Sequence, residues 1–201
     1  MNITQVFALS LLLTPMFAGN DKNYTYLALG DSLPYGLDPT ILPTGPGQPL
    51  PSPDRFIGYP EAFAADQHLL TSKKEVNGSC PGETSGSFWM PSAPDNGCHG
   101  RGPQGQPPFK SWIGLHTNYS GTQQEFAISQ LMSNKHIDLV TLSIGSNDLL
   151  LVLQKCSTAA DFQGCMNTDL PVALYFYGQN LAEILTAIRQ QYKGTLVLMT
   201  Y

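Results

Sequence analysis

Three short segments of the sequence carry side chains suited to the transfer of an acyl group. They are GDS at Gly30–Ser32, NGSCPGETS at Asn77–Ser85 and GSND at Gly145–Asp148. Acyl transfer needs a nucleophile and hydrogen-bond donors that point at the oxyanion of the transition state. A serine hydroxyl, a glycine that lets a carbonyl oxygen approach the backbone, and an asparagine amide supply these groups. Together, the segments predict a single pocket for ester chemistry.

Each segment also has a structural interpretation when it is taken alone. Ser32 could cap a helix whose first turn contains Pro34. Asn147 could be an ordinary turn residue, and PGETS could be no more than a tight turn. The combination of the three is more informative than any one of them.

The elements that must position these segments alternate between strands and helices. Apolar, β-branched runs predict strands at 24–29, 74–77, 137–145 and 194–201, the last one buried. Helical periodicity predicts helices at 58–70, 122–135 and 170–192, the second with a capping box formed by Thr122 and Glu125. This alternation indicates an α/β fold with a parallel sheet, in which ligands bind beyond the carboxyl ends of the strands. Each candidate segment follows a predicted strand.

The same segments resemble sequence blocks of the GDSL, or SGNH, hydrolase family of esterases and lipases. LALGDSL at 27–33 resembles the first block, NGSCPGETS the second and SIGSNDLL at 143–150 the third. The resemblance covers 24–201, which we take as one esterase domain. It implies a three-layer α/β/α fold of the flavodoxin-like kind, with a parallel sheet.

The resemblance also implies a role for each site residue. Ser32 would be the nucleophile, with Asp31 in support. The backbone N–H of Gly82 and the side chain of Asn147 would form the oxyanion hole, and Gly78 is a less favoured alternative to Gly82. The implied function is that of a secreted serine ester hydrolase that needs no cofactor and no metal.

The last block of the family, D-x-x-H, supplies the general base, and the sequence does not contain it. The pair Asp66 and His68 is one residue too close, and the pair Asp95 and His99 is one residue too far apart. We expect structural or surface roles for all four histidines, including His116 and His136. The chain stops within the predicted strand at 194–201, so we expect a truncated sequence whose fold is incomplete at the C-terminus. A serine without a base is a poor nucleophile, so this fragment should be inactive or severely impaired.

The resemblance implies that the substrate is an ester of a small molecule, a lipid or a carbohydrate. Phe88, Trp89 and Met90 could form an apolar wall beside Ser32, or they could pack their loop against the body of the domain. The alternative function that remains open is a non-catalytic module on the same fold that binds a carbohydrate or a protein partner.

The N-terminus and the cysteines indicate export. Residues 1–19 are predicted to be a signal peptide, with a buried strand or a membrane anchor as the alternatives. The apolar run is shorter than the ~20 residues that cross a bilayer, so no stable membrane insertion is expected. Of the three possible cysteine pairings we favour Cys80–Cys98 with Cys156–Cys165, because each bond closes a local loop. The absence of C-x-x-C spacing argues against zinc.

Composition excludes a nucleic-acid partner. The formal net charge is −5, and the 10 Lys and Arg residues form no basic cluster. We expect a secreted or periplasmic monomer. Sequons for N-glycosylation occur at Asn23, Asn77 and Asn118.

Overall fold

The structure is a computed structural model that describes residues 25–43, 47–69, 75–102 and 105–199. The predicted signal peptide at 1–19 and the sequon at Asn23 lie outside the described residues.

Four parallel strands form one sheet, so the chain has an α/β fold. Their order across the sheet is β2-β1-β3-β4. The strands are β1 (Thr25–Gly30), β2 (Glu75–Asn77), β3 (Ile137–Ser143) and β4 (Thr195–Met199). The register pairs Leu27 with Val76 on one side and with Val140 on the other. Because the strands are parallel, Gly30, Asn77 and Ser143 end at the same edge of the sheet.

In the described residues, six α-helices connect and flank these strands. They are α1 (Ser32–Tyr35), α2 (Tyr59–Asp66), α3 (Phe109–Trp112), α4 (Gln123–Ser133), α5 (Ser146–Ser157) and α6 (Phe162–Gln191). The capping box predicted for α4 is present: Glu125 N donates to Thr122 Oγ1 at 3.1 Å, and Thr122 N donates to Glu125 Oε2 at 2.8 Å. Short 3₁₀ turns occupy Pro39–Ile41 and Pro53–Arg55.

Alternate residues of β1 pack into two different hydrophobic clusters. Leu27 and Leu29 lie in a cluster that contains Phe126 of α4 and Ile184 of α6. Tyr26 and Ala28 belong to a second cluster, which includes apolar residues of α2. Since successive strand residues point to opposite faces of a sheet, apolar side chains cover both faces of β1. This burial explains why the first strand of the sequence is continuously apolar.

Several elements differ from the sequence-based predictions. Helix α5 was not predicted, because its first turn coincides with the polar GSND segment. Helix α6 begins at Phe162 rather than at Leu170 and continues through Pro171. The expectation that the last strand is buried was wrong, since Val197 is 37% exposed. Strand β4 pairs only with β3 and forms an edge of the described sheet, which leaves its side chains open to solvent.

Both favoured disulfides, Cys80–Cys98 and Cys156–Cys165, are present. Disulfides persist mainly in oxidising compartments, so they fit an extracellular location. In the described part of the chain, no helix combines the length and the apolar composition that crossing a membrane requires.

Candidate active site

The turn after β1 presents Ser32 at the carboxyl edge of the sheet. Gly30 has a φ of 132°, and a Cβ atom there would lie 1.9 Å from Ser143 O, so no other residue fits without moving β3. Asp31 is fully buried and caps α1, its carboxylate accepting from Leu33 N at 3.1 Å. The cap of α1 is therefore Asp31, and the interpretation of Ser32 as a cap was wrong. Ser32 is half-buried, and its hydroxyl makes no hydrogen bond to a described residue.

The loop after β2 supplies a buried backbone donor at Gly82. This glycine has a φ of +83°, and a Cβ atom would lie 2.5 Å from Asn96 O. Its N–H makes no hydrogen bond to any residue in the described ranges. The N–H of Gly78, by contrast, donates to Ala28 O at 2.9 Å. Of the two predicted glycines, Gly82 is the one whose N–H remains available to a ligand.

The loop after β3 carries Asn147, which is only 4% exposed. Its Nδ2 donates to Glu83 O at 3.0 Å. Asn96 Nδ2 in turn donates to Asn147 O at 3.0 Å and lies 3.2 Å from Asn147 Oδ1. A side-chain amide has two N–H donors, so one donor of Asn147 has no partner among the described residues. No sequence pattern indicates Asn96, which becomes a neighbour of Asn147 only through the fold.

Hydrogen bonds join the three segments that follow β1, β2 and β3 to one another. These segments, which contain Ser32, Gly82 and Asn147, are named the first, second and third loops. Cys80 N donates to Gly30 O at 3.0 Å, which connects the second loop to the first. Ser146 Oγ donates to Asp31 Oδ2 at 3.0 Å and connects the third loop to the first. The bond from Asn147 to Glu83 connects the third loop to the second. The structure therefore brings the neighbourhoods of Ser32, Gly82 and Asn147 to one edge of the sheet.

A partly buried carboxylate strengthens the contact between the second and third loops. Asp148 accepts from Ser85 N at 2.8 Å and also from Ser85 Oγ. Burial raises the pKa of Asp148, and the hydrogen bonds from Ser85 oppose this shift only in part. Asn180 of α6 donates to Ser85 Oγ at 3.1 Å and accepts from Trp89 Nε1 at 3.2 Å. Helix α6 is thus hydrogen-bonded to the edge of the site through Asn180.

The apolar wall that the sequence suggested is not formed by Phe88. This side chain is fully buried in the main hydrophobic cluster, against which Trp89 also packs. Trp89 is only partly buried, and Met90 is the most exposed of the three, at 39%. A different apolar surface lies near the third loop, in a groove of about 370 Å³ between α5 and α6. Its lining includes Ile144, Gly145, Ser146, Leu149, Leu174 and Tyr177.

Two of the four histidines are exposed, and the side chains of the other two contact residues other than Ser32. His68 and His136 are exposed and precede β2 and β3, so they lie towards the amino ends of the strands. His99 Nε2 lies 3.2 Å from Glu83 Oε1. His116 Nε2 lies 3.0 Å from Tyr35 O and 3.6 Å from Glu61 Oε1. Among the described residues, none of them contacts the Ser32 hydroxyl.

Two clusters of side chains have the spacing of metal ligands, and neither offers a thiolate. They are Cys80 with Glu83 and Cys98, and Cys156 with Cys165 and Asp169. In both, the two sulfur atoms are joined in a disulfide. Metal-binding cysteines act as thiolates, so each cluster is left with a single carboxylate ligand.

Comparison of the chain with protein-family models, with curated proteins and with solved structures found no match. Support for a function therefore comes from the residues themselves and from the geometry of the three loops.

Proposed function

We propose that this chain carries the nucleophile and the oxyanion hole of a secreted serine ester hydrolase of the GDSL, or SGNH, type. The proposal includes the three-layer α/β/α arrangement of that family. The hydrogen bond from Asn147 Nδ2 to Glu83 O supports it most directly, because it joins the candidate amide donor to the residue that follows Gly82. Both donors then lie at the edge of the sheet where Asp31 and Ser32 follow β1.

The chemistry assigned to these residues is acyl transfer in two steps. Ser32 Oγ attacks the ester carbonyl carbon while a general base takes the hydroxyl proton. The carbonyl oxygen becomes an oxyanion that accepts hydrogen bonds from Gly82 N and Asn147 Nδ2. The intermediate collapses, the alcohol leaves with a proton from the base, and water then hydrolyses the acyl-serine. None of the described histidines contacts the Ser32 hydroxyl, so the structure assigns the role of base to none of them.

A fluorophosphonate probe tests this proposal on the full-length protein, secreted from a host that forms disulfides. The probe should label the wild type on the peptide that contains Ser32. Ser32→Ala should abolish labelling, whereas Ser129→Ala, which removes an exposed hydroxyl on α4, should leave it unchanged. Asn147→Ala should slow ester hydrolysis about 10²- to 10³-fold, as expected for loss of one oxyanion donor.

A folded wild-type protein that neither reacts with the probe nor hydrolyses any ester would overturn the proposal. Binding of a carbohydrate or a protein by that unreactive protein would favour the non-catalytic module instead.

A further inference from the structure

Gln123 is a fully buried glutamine whose side chain forms hydrogen bonds with the backbone of Gly30. Gly30 N donates to Gln123 Oε1, and Gln123 Nε2 donates to Gly30 O at 2.9 Å. The side-chain amide therefore contacts both polar backbone atoms of the residue where β1 ends. Asp31 and Ser32 follow directly, so Gln123 holds the start of the nucleophile turn.

Glu83 is a fully buried carboxylate that contacts the same glutamine. Its Oε2 accepts from Gln123 Nε2 at 3.1 Å, and its Oε1 accepts from Ser87 Oγ and lies 3.2 Å from His99 Nε2. The backbone oxygen of Glu83 accepts from Asn147 Nδ2. Glu83, which directly follows Gly82, thus contacts both Gln123 and Asn147.

Burying an amide and a carboxylate is costly unless their hydrogen bonds are made, and an apolar pair of similar volume often stabilises a core equally well. The bonds of Gln123 and Glu83 end on the backbone of Gly30 and on Asn147, which belong to the first and third loops. A role in stability alone would not require these hydrogen bonds to end on the first and third loops. Stabilisation of an oxyanion, however, requires hydrogen-bond donors at fixed positions.

We propose that Gln123 and Glu83 are a pair of positioning residues that fix the nucleophile turn relative to the Gly82 and Asn147 donors. This inference rests on the proposed esterase function and adds to it two residues that touch neither the substrate nor the reacting atoms. Catalytic rates are sensitive to displacements of about 1 Å, which can lower them about 100-fold.

The test uses the full-length protein with Gln123→Met and the matched control Gln130→Ala on the same helix. Gln123→Met keeps the length of the side chain and removes all of its hydrogen bonds. We expect kcat to fall about 10- to 100-fold while KM stays within about twofold, because the loss is confined to the transition state. The affinity of a boronic acid, which mimics the tetrahedral intermediate, should fall in parallel with kcat/KM. Gln130→Ala should change none of these values.

Glu83→Gln and Glu83→Leu provide a second comparison in case Gln123→Met does not fold. The glutamine keeps one oxygen that can accept from Gln123 Nε2, and its N–H can donate to the hydroxyl of Ser87, so it should retain most of kcat. The leucine should lose kcat as Gln123→Met does. Rates are normalised to the folded fraction, which is taken from the unfolding transition of each variant.

The inference is wrong if folded Gln123→Met, or folded Glu83→Leu, keeps the wild-type kcat and boronate affinity. It is also wrong if the fall in apparent kcat is no larger than the fall in the folded fraction, so that the normalised kcat is unchanged. An inactive wild type would instead count against the proposed esterase function, so the two failures are distinguishable.

Discussion

Asn96 and Asn147 are joined twice, because Asn96 Nδ2 donates to the backbone oxygen of Asn147 and lies 3.2 Å from its Oδ1. Asn96 is itself held by Gln154 Nε2, which donates to Asn96 Oδ1 at 3.1 Å. With its oxygen facing Asn96, the amide of Asn147 must turn its Nδ2 towards Glu83 O. The loop between Cys80 and Cys98 therefore sets the orientation of the candidate oxyanion donor.

Asn96→Ala should lower ester hydrolysis by the full-length protein about tenfold, because Asn147 then loses its fixed orientation. The free energy of unfolding should fall by about 1–2 kcal/mol, the usual cost of an unpaired buried polar group. Steady-state kinetics and urea unfolding measure the two effects. Asn167→Ala on the exposed side of α6 is the control. Unchanged kinetics for Asn96→Ala would show that Asn147 is oriented by other contacts.

Removal of the two disulfides should have different effects on the free energy of unfolding and on activity. Cys80–Cys98 spans 18 residues and Cys156–Cys165 spans nine. Loop entropy predicts losses of about 3 and about 2.5 kcal/mol in the free energy of unfolding. Paired Cys→Ala variants of the chain, unfolded in urea, test these values. Only removal of Cys80–Cys98 should also lower activity in the full-length protein, because Cys80 N bonds to Gly30 O and Gly82 packs against Asn96. Equal activity losses would contradict this separation.

The predictable part of the fold came from local patterns. β1 and β3 are covered by apolar side chains, so their sequences are apolar at most positions. The capping box of α4 needs only Thr122 and Glu125. The pairing of the cysteines also followed from loop length. The expected convergence of the three loops followed from the rule that parallel strands end at one edge.

The features that were not predicted depend mainly on contacts between residues that are far apart in the sequence. Gln123 reads as the first residue of a helix, and only the fold brings its amide to Gly30 across 93 positions of the chain. Asn77 sits in a sequon, yet the fold buries it. Helix α5 was missed because the first turn of a helix and a polar turn have similar sequences.

Stability should depend on the protonation of Glu75. Burial, followed by repulsion from Glu61, raises the pKa of Glu75 to about 8 from 4.5. A carboxyl whose pKa is raised on folding contributes stability at low pH, and that stability is lost as the pH rises from about 4.5 to about 8. Glu75→Gln should therefore raise the free energy of unfolding at pH 8 by about 1 kcal/mol, a value discounted for the partial exposure of the site. Urea unfolding between pH 4.5 and pH 8 measures the effect, with the exposed Glu183→Gln as control. A wild type whose stability is constant over this range would contradict the raised pKa.

The two described sequons should differ in glycosylation. Asn118 is exposed, and its Oδ1 accepts from Leu115 N at 3.4 Å. Asn77 is 3% exposed, and its Nδ2 donates to Pro34 O and to Glu61 Oε1. Protein secreted from a eukaryotic host should carry a glycan on Asn118 and none on Asn77. Glycosidase treatment and peptide mass spectrometry distinguish the sites, and Asn118→Gln should remove the glycan. A glycan on Asn77 of folded protein would be incompatible with its hydrogen bonds.

The groove between α5 and α6 should set a preference for the acyl chain of the substrate, provided that the protein is an esterase. It begins at Gly145 and Ser146 and is lined mainly by apolar side chains, among them Leu149 and Leu174. Burial of each methylene contributes about 0.8 kcal/mol, so three or four buried methylenes should favour octanoyl over acetyl esters about 60- to 200-fold. Leu174→Glu should reduce kcat/KM for the octanoyl ester at least tenfold and leave that for the acetyl ester unchanged.

Val172→Glu is the matched control for the groove. Val172 is exposed on the same helix and does not line the groove, so the charge is introduced without touching the acyl chain. If both variants lower octanoyl hydrolysis equally, the effect comes from charge on α6 rather than from the groove. If neither variant changes the ratio of octanoyl to acetyl hydrolysis, the acyl chain lies elsewhere, and the groove has no part in the choice of substrate.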